Sequence, residues 1–139
     1  GVAMRPLTKK DFELVAAVKA YAHKFKPKHW RGEHISSVYA GVLAGGKTYI
    51  APNIYHPYSA PTSICAEYSA AALAYADGNS EFDAMVAFHY RGAKHQKFYS
   101  PCGQCREFLR LFGDPWVIVP NGKKLGKARL SELLENSTE

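Results

Sequence analysis

A chain of 139 residues, 47% hydrophobic and 22% charged, is long enough for one well-filled core and too short for two, so a single domain over 1–139 is expected. No apolar run nears the roughly 18 residues of a membrane span, and the N-terminus lacks the apolar stretch of a signal peptide, which points to a cytoplasmic protein. The formal charge of +6 is spread over lysines and arginines along the chain and reads as a solvated basic surface, since charge alone names no partner.

Gly1-Val2-Ala3 precede Met4 and read as a remnant ahead of the natural start. Thr8 with Asp11 three residues later looks like a helix cap, and Phe12, Val15, Val18, Ala22 and Phe25 follow at helical spacing. A helix is expected over about 9–25, stopped by Pro27. The β-branched stretch 35–43 reads as a strand, Gly45-Gly46 as a hairpin turn, and 47–54 as the returning strand. The proline- and serine-bearing segment 55–63 is a loop. Residues 64–76 are good helix formers, ended by Asp77-Gly78-Asn79. A strand over 82–90, a polar turn over 91–96, a helix over about 103–112, a short strand over 116–120 and a last helical turn over 130–135 complete the chain. The order α-β-β-α-β-α-β-α, a hairpin followed by βαβ units, implies one mixed sheet with helices on its faces.

The chemistry sits in two short stretches. Three cysteines, two of them in a C-x-x-C, do not resemble a disulfide framework and fit metal binding or redox work better. Cys102 and Cys105 open one expected helix and Cys65 opens another, where free amide N–H groups favour thiolates. Three thiolates without a fourth protein ligand suit a catalytic zinc more than a structural one. Glu67, two residues after Cys65, could overhang the open position and move protons for water activated by the ion. The alternatives are a closed zinc site with a histidine, His56 being the nearest in sequence, or a redox pair. A redox pair would leave Cys65 and Glu67 without a role.

Cys65-Ala66-Glu67 together with Pro101-Cys102-Gly103-Gln104-Cys105 resembles the zinc deaminase signature in its all-cysteine form. Over about 35–120 the chain is similar to the cytidine deaminase superfamily, in the branch acting on free nucleosides. The resemblance implies a three-layer α/β/α fold and hydrolytic loss of ammonia from C4 of a cytosine ring. It further implies a zinc ion on Cys65, Cys102 and Cys105, and Glu67 as proton shuttle. The N–H of Ala66 would hold the ring carbonyl, the carbonyl of Ser100 would receive the amine, and the assembly would be a homotetramer.

The sugar-binding stretch departs from the cytidine deaminase pattern. Asn53 is kept, but Tyr55 stands where that family has a carboxylate for the ribose, and Ser37 stands where it has a phenylalanine that stacks on the base. Tyr68 replaces an arginine that offsets thiolate charge, leaving Arg106 as the candidate for that work. These departures resemble blasticidin S deaminases, whose second strand reads Asn-x-Tyr-His. The expected substrate is therefore a cytosine nucleoside analogue of the blasticidin S type. The alternatives are an ordinary cytidine or deoxycytidine deaminase, a single-stranded nucleic-acid deaminase or binder using Tyr55, Tyr58, Tyr90 and Tyr99, and a non-catalytic zinc module.

Overall fold

The computed structural model describes residues 3–137; Gly1 and Val2, part of the expected remnant, lie outside them. Thr8 caps the first helix as its sequence requires. Its hydroxyl faces the Asp11 N–H, and its own N–H donates to the Asp11 carboxylate at 2.8 Å, which closes a reciprocal capping box. Helix α1 spans Lys9–Lys24 and ends at Phe25, two residues before Pro27. Asp11 also accepts from Lys127 Nζ at 2.8 Å, and both side chains are buried, so Lys127 belongs to the interior and not to the basic surface. Burial alone would raise the Asp11 carboxyl; Lys127 and Thr8 more than offset this and hold it below the usual carboxylate range.

Two two-residue strands follow, β1 (His29–Trp30) and β2 (Glu33–His34), joined through Arg31 and Gly32, both at positive φ. Strands this short carry no readable alternation, and Arg-Gly is a weaker turn signal than Asn-Gly. The expected glycine hairpin forms as β3 (Val38–Ala44) and β4 (Lys47–Pro52), with φ of 59° at Gly45 and 75° at Gly46. Next come α2 (Ala66–Ala76), β5 (Ala84–Tyr90), β6 (Gln96–Tyr99) and α3 (Gly103–Leu109) with a 3₁₀ turn to Phe112. Strands β7 (Trp116–Asn121) and β8 (Lys124–Arg129) and helix α4 (Leu130–Ser137) complete the order. Strands β6 and β8 were not foreseen: neither has a Val, Ile or Thr, and lysines give both the look of loops.

The main sheet runs β4-β3-β5-β7-β8, with β6 also on β5. Among the described residues β5 and β7 make its one parallel pairing, Ala84 opposite Trp116 through Val86 opposite Ile118. That is the βαβ crossover through α3. Beyond Val86 the same edge of β5 is taken by β6, with Ala87 opposite Tyr99. The chain therefore leaves the sheet beside the middle of β5, with Pro101 buried between Ser100 and Cys102.

The helices cover both faces, giving the expected three layers. Leu14, Val18 and Ala22 of α1 pack on Tyr39, Val86 and Ile118. Ala70 and Ala74 of α2, with Leu109 and Leu133, pack on Val42, Met85 and Val117. Gly41 sets the distance of α1. A Cβ there would stand 2.4 Å from Val18 Cγ2 and 3.1 Å from Leu14 Cδ1. Gly41→Ala is expected to cost about 1–3 kcal/mol through overpacking, read as a lower denaturation midpoint with an unchanged slope; an unchanged midpoint would mean that the helix gives way freely.

Candidate active site

Two helix starts and one buried turn supply the thiols. Cys65 is the N-cap of α2 and Cys102 the N-cap of α3, each in extended backbone, so their side chains lie beside the first N–H groups of a helix. Cys105 follows one turn into α3 and is buried. Its thiol is within side-chain hydrogen-bonding reach of both Cys65 and Cys102. Glu67, in the first turn of α2, is only 4% exposed, and its charge is felt at Cys65 and Cys105. The four side chains singled out in the sequence are thus one cluster.

The electrostatics follow from packing acids together out of water. Burial pushes the Cys105 thiol far up, and the charge of Glu67 adds to it. Cys65 is also raised, by burial first, with Cys105 opposing through a hydrogen bond. Burial raises Glu67, opposed by its own N–H. Among the described residues no three His, Cys, Asp or Glu side chains already have the geometry of a metal site. The donor set nonetheless fits zinc by chemistry: three soft ligands within reach of one another, which lose their protons in favour of a cation.

The surroundings correct several expectations. His56, the named candidate for a fourth ligand, has its ring 5.0 Å from Trp30, and its Nδ1 accepts from the Tyr58 N–H at 3.2 Å. Arg106, the candidate for offsetting thiolate charge, makes its hydrogen bonds to other groups. Its guanidinium donates to the Pro101 carbonyl at 2.8 Å, the Ser100 hydroxyl at 3.1 Å and the Leu133 carbonyl at 3.4 Å. It ties the Ser100–Cys102 entry to α4, and so positions Ser100. Ala66, at the start of α2, is fully buried.

Tyr99 is the residue that the sequence reading undervalued. Its phenol is pushed well up, by burial first and then by the charges of Glu67, Cys65, Cys105 and Cys102, so it borders the cluster. Its place just before Ser100-Pro101-Cys102 was the available signal. Tyr68 packs on Phe108 with ring centres 4.5 Å apart.

Asn53 laces the sugar-side expectation into the fold. Its side-chain oxygen accepts from the N–H groups of Ser37 at 2.8 Å and Val38 at 3.0 Å, and its backbone carbonyl accepts from Ser36 Oγ at 2.8 Å. The Asn53 oxygen is therefore spent on holding the start of β3 to the residue after β4. Ser37 is fixed on its other side, its carbonyl accepting from Tyr90 N at 2.9 Å. Tyr55 is 45% exposed. It lines a cavity of about 650 Å³ whose walls include none of the cysteines and not Glu67.

No protein-family model matches the chain. It is 30% identical over 82 residues to the blasticidin-S deaminase of Bacillus cereus, a match covering 55% of this chain and 59% of that protein. It is 32% identical over 98 residues to the cytidine deaminase of Mycoplasma genitalium, covering 68% of this chain and 72% of that one. Among solved structures, the cytidine deaminase from Bacillus anthracis superposes with a TM-score of 0.73 at 21% identity, over 89% of this chain and 86% of the other. That from Burkholderia pseudomallei superposes at 0.68 with 23% identity, over 91% and 96%. The layers and crossover of the fold and the sequence match to the Mycoplasma protein agree: this chain belongs to the cytidine deaminase superfamily.

Proposed function

We propose that this protein is a zinc-dependent hydrolase that removes the 4-amino group of a cytosine ring in a nucleoside or nucleoside analogue. The observation that carries the reading is the buried Glu67 set against three mutually adjacent thiols. Cys65, Cys102 and Cys105 would hold the zinc. When bound, the ion supplies a water made acidic enough to be a nucleophile near neutral pH. Glu67 takes a proton from the water that adds to C4 and hands it to N3 of the ring; it then takes the remaining proton of the hydroxyl left on C4 and hands it to the amine, which departs as ammonia as the C4 carbonyl forms. The N–H of Ala66 holds the ring carbonyl, and the carbonyl of Ser100 accepts from the amine. Burial around Glu67 keeps bulk water from competing for these protons.

At the sugar, Asn53 offers its amide, with Ser37 and Tyr55 beside it. The run Asn53-Ile54-Tyr55-His56 and the likeness to a blasticidin-S deaminase favour a substrate of the blasticidin S type. The longer match to a cytidine deaminase favours the second reading, ordinary cytidine or deoxycytidine. Initial rates on cytidine, deoxycytidine, blasticidin S and cytosine, followed by ultraviolet absorbance, separate the two. A charged hydrogen bond to a sugar hydroxyl contributes about 1.5–3 kcal/mol, or roughly ten- to a hundredfold in selectivity. Tyr55→Glu is accordingly expected to move kcat/KM that far towards cytidine. If the unaltered enzyme already handles cytidine with much the higher kcat/KM, the blasticidin reading falls. Absence of deamination on the whole panel would leave a non-catalytic zinc module.

We also infer a homotetramer, supported by exposed Leu73 and Tyr75 on the outward side of α2 and by Leu111 after α3. Light scattering at micromolar concentration is expected to give four chains; a monomer would contradict it. Three free cysteines suit a reducing, cytoplasmic setting, and among the described residues no helix is long and apolar enough to cross a membrane.

A further inference from the structure

The +6 charge, spread along the sequence, gathers in the fold. Segments 23–34 and 91–97 carry seven of the 18 Lys and Arg residues and one of the 12 acids, which leaves eleven of each in the rest of the chain. The entire net charge thus resides in two segments, and both line one cavity. That cavity, about 650 Å³, lies where the end of α1, the β1–β2 hairpin and the end of β5 meet. His23, His34, His95 and Arg91 stand in its wall against a single carboxylate, Glu33. Lys24, Lys26, Lys28, Lys94 and Lys97 flank these residues in sequence and are exposed. Among the described residues the four recorded ion pairs all lie elsewhere, so these cations have no acidic partner in them. The neighbouring His89 reports the field: burial lowers it, and Arg91, Lys97 and His95 lower it further.

The rest of the lining is aromatic. Tyr55 is exposed and Tyr90 half-buried, and Phe25 and the buried Tyr39 complete the aromatic wall. Tyr90 already holds the His23 ring at 4.3 Å between centres. The volume is that of a small-molecule site, and rings beside a cationic rim suit a planar group that carries an anion.

We propose that this cavity is a nucleotide-binding site separate from the thiol cluster, with the base against Tyr55 and Tyr90 and the phosphate on Arg91, His95 and the neighbouring lysines. Of the residues placed in the deaminase reading only Tyr55 lines it, so the proposal stands whether or not that reading survives. Tyr55 would let its occupancy be felt at the sugar side of the other site.

The test is calorimetric titration of the full chain with AMP, adenosine, inorganic phosphate and an oligothymidylate. An adenine nucleotide avoids a site built for cytosine. AMP is expected to bind once per chain and about ten- to a hundredfold tighter than adenosine, from charged hydrogen bonds to phosphate. The double variant Arg91→Ala/His95→Ala, at exposed positions, should erase that advantage without changing thermal unfolding. AMP binding no tighter than adenosine overturns the proposal. So does inorganic phosphate binding as tightly as AMP, which would make the cavity a plain anion trap. Oligothymidylate binding more tightly than AMP, with a steep loss on adding salt, overturns it in favour of a single-strand track.

Discussion

Replacing Glu67 by glutamine is expected to leave zinc content and folding close to those of the unaltered protein and to cut turnover by about 10²- to 10⁴-fold. The two side chains match in shape, and Glu67 is 4% exposed in the first turn of α2, so the helix start keeps its packing. None of the recorded ion pairs among the described residues involves Glu67, so the fold does not rest on its charge. What is lost is a group that can both accept and return a proton. Steady-state deamination rates with parallel elemental analysis make the measurement. Retention of a tenth of the activity at full zinc content would remove Glu67 from the proton path. Loss of zinc together with activity would instead make it part of the metal's support.

The motif of thiols and carboxylate is legible in the sequence because its parts are local. Cys65-Ala66-Glu67 and Pro101–Cys105 each sit on one helix start, and a helix start needs little tertiary information to be read. Their convergence follows from two helix ends facing each other beside the sheet, but the strand arrangement that brings it about is not legible. It depends on β6 displacing β7 from the edge of β5, and nothing in Gln96-Lys97-Phe98-Tyr99, which follows the polar turn at 91–96 and carries no β-branched residue, announces a strand. A lysine is expected at the surface, and only the pairing of β8 with β7 shows Lys127 turned inward to Asp11. The same limit hid the basic cavity. Segments 23–34 and 91–97 are some sixty residues apart, and no periodicity links the end of a helix to the end of a strand. Sequence proximity makes Arg106 a candidate for offsetting thiolate charge but does not foretell its hydrogen bonds to Ser100, Pro101 and Leu133.

Removal of a single thiol should separate metal from fold most cleanly at Cys102. Cys105 is buried, so Cys105→Ala would open a cavity in the core and confound loss of metal with loss of packing. Cys102 is exposed, and its side chain makes no capping hydrogen bond at the start of α3, so alanine removes a donor and little else. The Cys102 carbonyl, which accepts from Arg106 N at 2.9 Å, belongs to the backbone and remains. Elemental analysis is expected to fall from about one zinc per chain to near none, with deamination lost alongside. A chelator should lower the melting temperature of the unaltered protein towards that of the variant, because an ion that binds only the folded state stabilises it. The variant itself should not respond to the chelator. Full zinc occupancy in Cys102→Ala would place the ion outside the three-thiol cluster and remove the basis for the proposed reaction; zinc loss without any change in deamination would show that the chemistry runs without it.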